Sequence, residues 1–231
     1  MKKSSYISLT HAIAEGMPSW DDKCTFHLKT ELDYHECITD TKFRVNSLSF
    51  PAGIGTHIDA PAHCIPGGKT VDQLELNNIF ECHVIDVSDK ADAFYKVSAQ
   101  DIYDYEHRYG TITEKSVVMI RTGWDKFWLQ PEKYRNNYQF PSVSPEAALY
   151  LVEKNITALG IDTLSPDLPG NKFQVHEILL NAEIAIIENV ANLEKIPPHG
   201  TVALVAPLLI KDATEAPLSL IAFIDEEKNY E

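Results

Sequence analysis

The sequence predicts a strand-rich α/β fold rather than a doubly wound parallel sheet. Three observations carry that reading. Apolar runs of four to eight residues recur along the chain, only three segments show helix signals, and the two kinds do not alternate strictly. The 231 residues fit one large domain, taken as residues 1–231, and 44% hydrophobic residues suffice for a core.

Taken in order, Tyr6–Leu9 and Phe43–Phe50 are the first apolar runs and read as strands. Thr56-His57-Ile58-Asp59 alternates polar and apolar, as a half-buried strand does. His83–Val87 is the next strand. Ser98-Ala99-Gln100-Asp101 then matches a capping box, and Gly110 ends the helix that follows. Val117–Arg121 is a strand. Ser144 precedes Pro145 and Glu146 as an N-cap with proline at the first helical position, leading into a second helix, AALYLVEK. Ala158–Ile161 is a strand, Gln174–Asn181 a third helix, and Ile184–Glu188, Val202–Val205 and Leu218–Ile224 close the chain as strands.

Chemistry concentrates in Gly55–His63, which holds two histidines and an aspartate in nine residues. In a strand, His57 and Asp59 share one face while Ile58 points into the core. Pro61 stops the strand, so His63 lies just past its end and can turn back to that face. An imidazole and a carboxylate so placed suit a metal ion, which both reach at roughly 2.0–2.2 Å. Downstream, His176 falls in a helix, and Glu188 ends an otherwise apolar strand, a costly place for a carboxylate without a partner. Other signatures fail. Gly67-Gly68-Lys69-Thr70 lacks the upstream glycine of a phosphate loop, His176-Glu177 lacks the second histidine of HExxH, and no GxSxG elbow occurs.

The segment resembles the signature of the cyclase and bacterial kynurenine formamidase family of metal-dependent hydrolases, HxGTHxDxPxH, standing here as Gly53-Ile54-Gly55-Thr56-His57-Ile58-Asp59-Ala60-Pro61-Ala62-His63. Leu9–Trp20, Ile120–Trp124, Gly160–Asp167 and Glu215–Ile224 are similar to further family blocks, so the resemblance spans nearly the whole chain. It implies a swivelling β/β/α fold, homodimers or larger homo-oligomers, and one or two divalent ions per chain, zinc or in some relatives manganese. It also implies an amidohydrolase acting on non-peptide C–N bonds of an amide, aryl formamide or cyclic amide, through a metal-bound hydroxide. By position, His57 binds a first metal, His176 a second, Asp59 and Glu188 bridge them, His63 is the acid/base, and Trp20 lies against an aromatic small-molecule substrate. Trp124 and Phe50 are further aromatic candidates for that pocket.

One position departs from the pattern. Its first histidine, a metal ligand, is Gly53 here. Either one metal is lost, or another residue supplies the ligand, and His11, His35 and Cys64 qualify by type. The departure also admits a binding protein that keeps the pocket without turnover, and the family name admits a ring-closing cyclase. A net charge of −14 argues against nucleic acid or an anionic membrane as partner. The start MKKSSYISL lacks the apolar stretch of a signal peptide, and the longest apolar run is about half of what a membrane helix needs. Cys24, Cys37, Cys64 and Cys82 show no CxxC spacing, so reduced thiols in a cytoplasm are expected.

Overall fold

The computed structural model describes residues 4–21, 26–76 and 79–225; Cys24 lies outside them. The strands are β1 (Ser4–Ser8), β2 (His27–Leu32), β3 (Val45–Ser49), β4 (His57–Asp59), β5 (Ile79–Asp86), β6 (Lys96–Val97), β7 (Val117–Arg121), β8 (Ser142–Val143), β9 (Ala158–Ile161), β10 (Ala185–Glu188), β11 (Thr201–Pro207) and β12 (Glu215–Asp225). The α-helices are α1 (Ala99–Tyr109), α2 (Pro131–Arg135), α3 (Pro145–Glu153) and α4 (Gln174–Asn181).

Eight strands form the main sheet in the order β1-β12-β11-β5-β7-β9-β10-β4, and β4 pairs with β12 as well. That extra pairing closes the sheet into a barrel, with β1 added along the C-terminal part of β12. The β5–β7, β7–β9 and β9–β10 pairs are parallel, and helices lie in the connections between them. The remaining pairs of the main sheet are antiparallel. The mixed order of elements thus corresponds to a mixed sheet.

Strands β7, β9 and β10 read as unbroken apolar runs because both of their faces are buried. Val117, Met119, Ala158, Ala185 and Ile187 face one core, inside the barrel, which Ile58 also enters. Val118, Ile120, Leu159, Ile161 and Ile186 face the other, where Ile102, Leu151, Val175 and Leu179 of the helices pack on them. Among the described residues, no helix is long and apolar enough to cross a membrane.

The three expected helices are present, two of them with the expected caps: the Ser98 side chain accepts from Asp101 N–H, and the Ser144 side chain from Ala147 N–H. Two differences have plain causes. His27–Leu32 carries no apolar pattern, since β2 and β3 form a two-stranded hairpin exposed on both faces; pairing, not burial, makes it a strand. β12 begins at Glu215, ahead of the apolar run, because its first three residues pair with β4.

Buried Asp101 shows how tightly a cap is tied. Its carboxylate accepts from Ser98 N–H (2.7 Å), Ser98 Oγ (2.8 Å) and Tyr95 OH (2.9 Å), and it pairs with Lys90. Burial pushes the carboxyl up, but the Lys90 ammonium and the Ser98 donors outweigh it and hold its pKa below the ordinary value. A depressed carboxyl pKa contributes stability above its unfolded value near 4, and that contribution is lost as pH falls through the folded value. Asp101→Ala is therefore expected to lower stability by about 2 kcal/mol at neutral pH. Urea unfolding should show the gap to wild type narrowing at about pH 3; an unchanged gap there contradicts the assignment.

Candidate functional site

Antiparallel pairing builds the site before any side chain is considered. Glu188 of β10 lies opposite His57 of β4, and on the other edge Glu215 of β12 lies opposite Asp59. Directly paired residues share a face, so an imidazole and three carboxylates converge on the helix side of the barrel while Ile58 stays in the core. Pro61–His63 then forms a short 3-10 turn that brings His63 back toward the same place. Helix α4 adds His176 from its first turn.

Two of these carboxylates, Asp59 and Glu188, each face both buried imidazoles. Asp59 Oδ1 stands 3.5 Å from His57 Nε2 and Asp59 Oδ2 3.6 Å from His176 Nε2. Glu188 Oε2 stands 3.4 Å from His57 Nε2 and Glu188 Oε1 3.4 Å from His176 Nε2. The other ring nitrogens are held from behind. His57 Nδ1–H donates to Gly55 O (3.0 Å), and His176 Nδ1–H donates to Asp167 Oδ2 (2.8 Å). A hydrogen on Nδ1 suits both acceptors, and it leaves Nε2 of each ring directed at the centre, where a cation can replace its proton.

The supports are themselves anchored. Gly55 adopts φ +63, the left-handed region that glycine enters without strain, and its carbonyl also accepts from Asn189 Nδ2 (2.9 Å). Asp167 accepts from Val175 N–H (3.2 Å) and His176 N–H (2.9 Å), satisfying free donors at the start of α4. Thr56 Oγ1 donates to Asn189 O (2.6 Å) and accepts from His11 N–H (2.9 Å).

Burial pushes the His57 and His176 imidazoliums down, but carboxylates outweigh it and hold both pKa values above the ordinary one, His176 well above: Asp59 and Glu188 act on His57, and first Asp167 behind the ring, then Asp59 and Glu188, on His176. Burial pushes the Asp59 carboxyl up, yet His176 and His57 hold it below its usual range. Glu188 is raised, by burial and by the Asp59 charge. A field that draws protons to these rings also draws a divalent cation. The residues present fit one: buried Asp59 Oδ1 has no hydrogen-bond partner, and imidazole nitrogens and carboxylate oxygens are the donors such an ion takes. Among the described residues, the donor atoms of Asp59, His63 and His176 lie within 4.8 Å of one another, and so do those of His57, Asp59 and Glu215.

All five polar residues expected from the sequence thus gather here, together with Trp20, which lines a cavity of about 470 Å³ beside them. His63 lies within ligand range of Asp59 and His176, whereas the family resemblance implies only proton transfer for it. Phe50 and Trp124 do not line the cavity. Trp124 is packed in an aromatic core with its Nε1–H donating to Tyr134 O (2.7 Å), and Phe50 packs on Phe26. Of the three substitutes for the histidine absent at Gly53, His11 is stacked on Trp128 and His35 is exposed beside Asp33, both away from the cavity. Cys64 lies on the cavity wall outside both clusters. Glu215, Asp167 and Phe173 are the cavity-side and supporting residues that sequence reasoning misses. Only Glu215 carries a local signal, an acidic residue opening an apolar strand.

A family model named Cyclase, described as "Putative cyclase", matches residues 7–168. An isatin hydrolase of Roseibium aggregatum is 30% identical over 187 residues, covering 74% of this chain and 71% of the relative. A kynurenine formamidase of Bacillus cereus is 24% identical over 227 residues, covering 96% of this chain and 98% of the relative. Among solved structures, isatin hydrolase A from Labrenzia aggregata bound to benzyl benzoate superposes with a TM-score of 0.86 at 27% identity, covering 96% of this chain and 94% of that one. A potential metal-dependent hydrolase with cyclase activity superposes with a TM-score of 0.77 at 26% identity, covering 98% of this chain and all of the other.

Asp167 supplies a test of the support beneath the site. Asp167→Ala is expected to free the His176 ring and weaken retention of a divalent cation by about 10–100-fold, measured by competition with a graded chelator. Unchanged retention would show that α4 alone positions the ring.

Proposed function

This chain belongs to the cyclase family, and from that premise we propose that it is a metal-dependent hydrolase that opens the C–N bond of an aryl formamide or a cyclic aryl amide. The observation that carries this reading is the pair of carboxylates, Asp59 and Glu188, each facing the free nitrogens of both His57 and His176. These four residues would hold one or two divalent cations. A bound divalent cation supplies charge that polarises a carbonyl and lowers the pKa of water from near 16 towards roughly 7.

The remaining work falls to the chain's own groups. His63 Nδ1 lies 3.3 Å from Glu215 Oε2, which fixes the ring and leaves Nε2 for proton transfer. The Glu215 hydrogen bond outweighs burial and raises the His63 pKa, making it a better base. His63 is also more open to solvent than His57 or His176, as a group that exchanges protons must be. It takes a proton from the attacking water and returns it to the departing nitrogen.

Substrate fit follows from the cavity wall. Trp20 and Phe173 meet there, 5.7 Å apart between ring centroids, with Pro18, Pro51 and Leu164 around them. Phe173 is held at φ +55, and its ring meets His176 edge-on at 5.9 Å. Such a wall accepts a flat aromatic ring whose polar bond then reaches His63. The relatives named for isatin and for a formamide of kynurenine agree with an amide nitrogen on an aromatic ring.

The test is turnover of isatin and of an aryl formamide, with and without a chelator. Hydrolysis is expected, lost on chelation and restored by zinc or manganese. His63→Ala should lower kcat/KM by about 10²–10⁴-fold with metal content unchanged. Normal turnover by that variant removes His63 from the proton-transfer role. Binding of these compounds without turnover would mark a binding protein instead.

A further inference from the structure

The family pattern places a histidine ligand where this chain has Gly53, and the structure shows what stands in its place. A Cβ built on Gly53 would lie 2.3 Å from Glu215 Oε1, 3.3 Å from Glu215 Cδ and 3.3 Å from His57 Nε2. The backbone does not bar a side chain, for Gly53 is not among the glycines of positive φ. The bar is the Glu215 carboxylate, which occupies the volume that a side chain at position 53 would enter. It enters from a different strand, through the pairing of Glu215 with Asp59.

We propose that Glu215 replaces the missing ligand, so that a first cation is held by His57, Asp59 and Glu215 while His176 and Glu188 serve a second. This deepens the metal-dependent reading above and rests on it.

Three observations support the exchange. Glu215 offers an oxygen within 4.8 Å of donor atoms on both His57 and Asp59. Asp59 Oδ1, beside this group, is buried with no hydrogen-bond partner, as an oxygen kept for an ion would be. Two acidic residues also stand directly opposite across a strand pair, an arrangement that repels unless a positive charge lies between them. Glu215 serves two neighbours at once: Oε2 lies by His63 Nδ1, while Oε1 lies where the side chain at 53 would begin. A carboxylate has lone pairs enough for both.

The exchange predicts a reciprocal pair. A side chain at 53 and the Glu215 carboxylate compete for one volume, so a histidine restored at 53 takes up that volume most directly when the carboxylate at 215 is removed.

Full-length protein, stripped with a chelator, reloaded with zinc or manganese and desalted, is assayed for bound metal by mass spectrometry. Wild type is expected to hold two ions per chain. Glu215→Ala and the near-isosteric Glu215→Gln should each hold one, with helical circular dichroism unchanged. The double variant Gly53→His with Glu215→Ala should return to two. Failure of the single variants to lose an ion, or of the double variant to regain it, overturns the inference. If Glu215→Ala and Glu215→Gln keep the wild-type stoichiometry but lose turnover, Glu215 is a positioning residue for His63, and the hydrolase reading stands. A wild type that takes up no metal fails the hydrolase reading itself.

Discussion

The pairing of β4 with β10 on one edge and β12 on the other closes the barrel and, by the same backbone bonds, sets His57 beside Glu188 and Asp59 beside Glu215. Three residues carry this double duty. Because strand side chains alternate, a slip of one residue would put Ile58 in the polar centre and two ionisable groups in the barrel core. The buried hydrocarbon around Ile58, from Leu9, Met119 and Ile187, therefore holds the register. At about 25 cal/mol per Å² of apolar surface, burial of Ile58 opposes the slip, as does the cost of placing His57 and Asp59 in hydrocarbon. Core packing and site geometry are thus one constraint seen from two faces.

Charge in the site is managed by anchoring. Two carboxylates and two imidazoles taken from water would be costly in isolation. Here each imidazole is held by an acceptor behind it, Gly55 O or Asp167, and each carboxylate has two imidazoles in front. The anchors lie on connections between strands and at the start of α4, where backbone donors and acceptors are free to take part. The site is therefore rigid at its back and open only toward the cavity, where Trp20 and Phe173 stand.

Much of this was legible in the residues. Alternation in Thr56–Asp59 located the shared face, Pro61 located the turn to His63, and the cap residues located α1 and α3. Glu188, closing an apolar strand, signalled a buried carboxylate in need of a partner. Strand β2 was illegible because nothing on it is buried, and the start of β12 because its pairing, not its hydrophobicity, makes it a strand. Trp124 shows the limit of reading aromatic residues by type: its size suits a pocket and a core equally, and the structure uses it in a core.

By itself, the sequence determined the local chemistry: which residues can bind a cation or move a proton, and which faces of short elements they share. Those properties depend on neighbours a few positions away, through strand alternation and helix caps. The tertiary structure alone decided which distant segments meet. Glu215 is 156 positions beyond Asp59, and only the closing pair of strands brings the two together. No periodicity records a contact of that kind, because barrel closure depends on the packing of every strand between them.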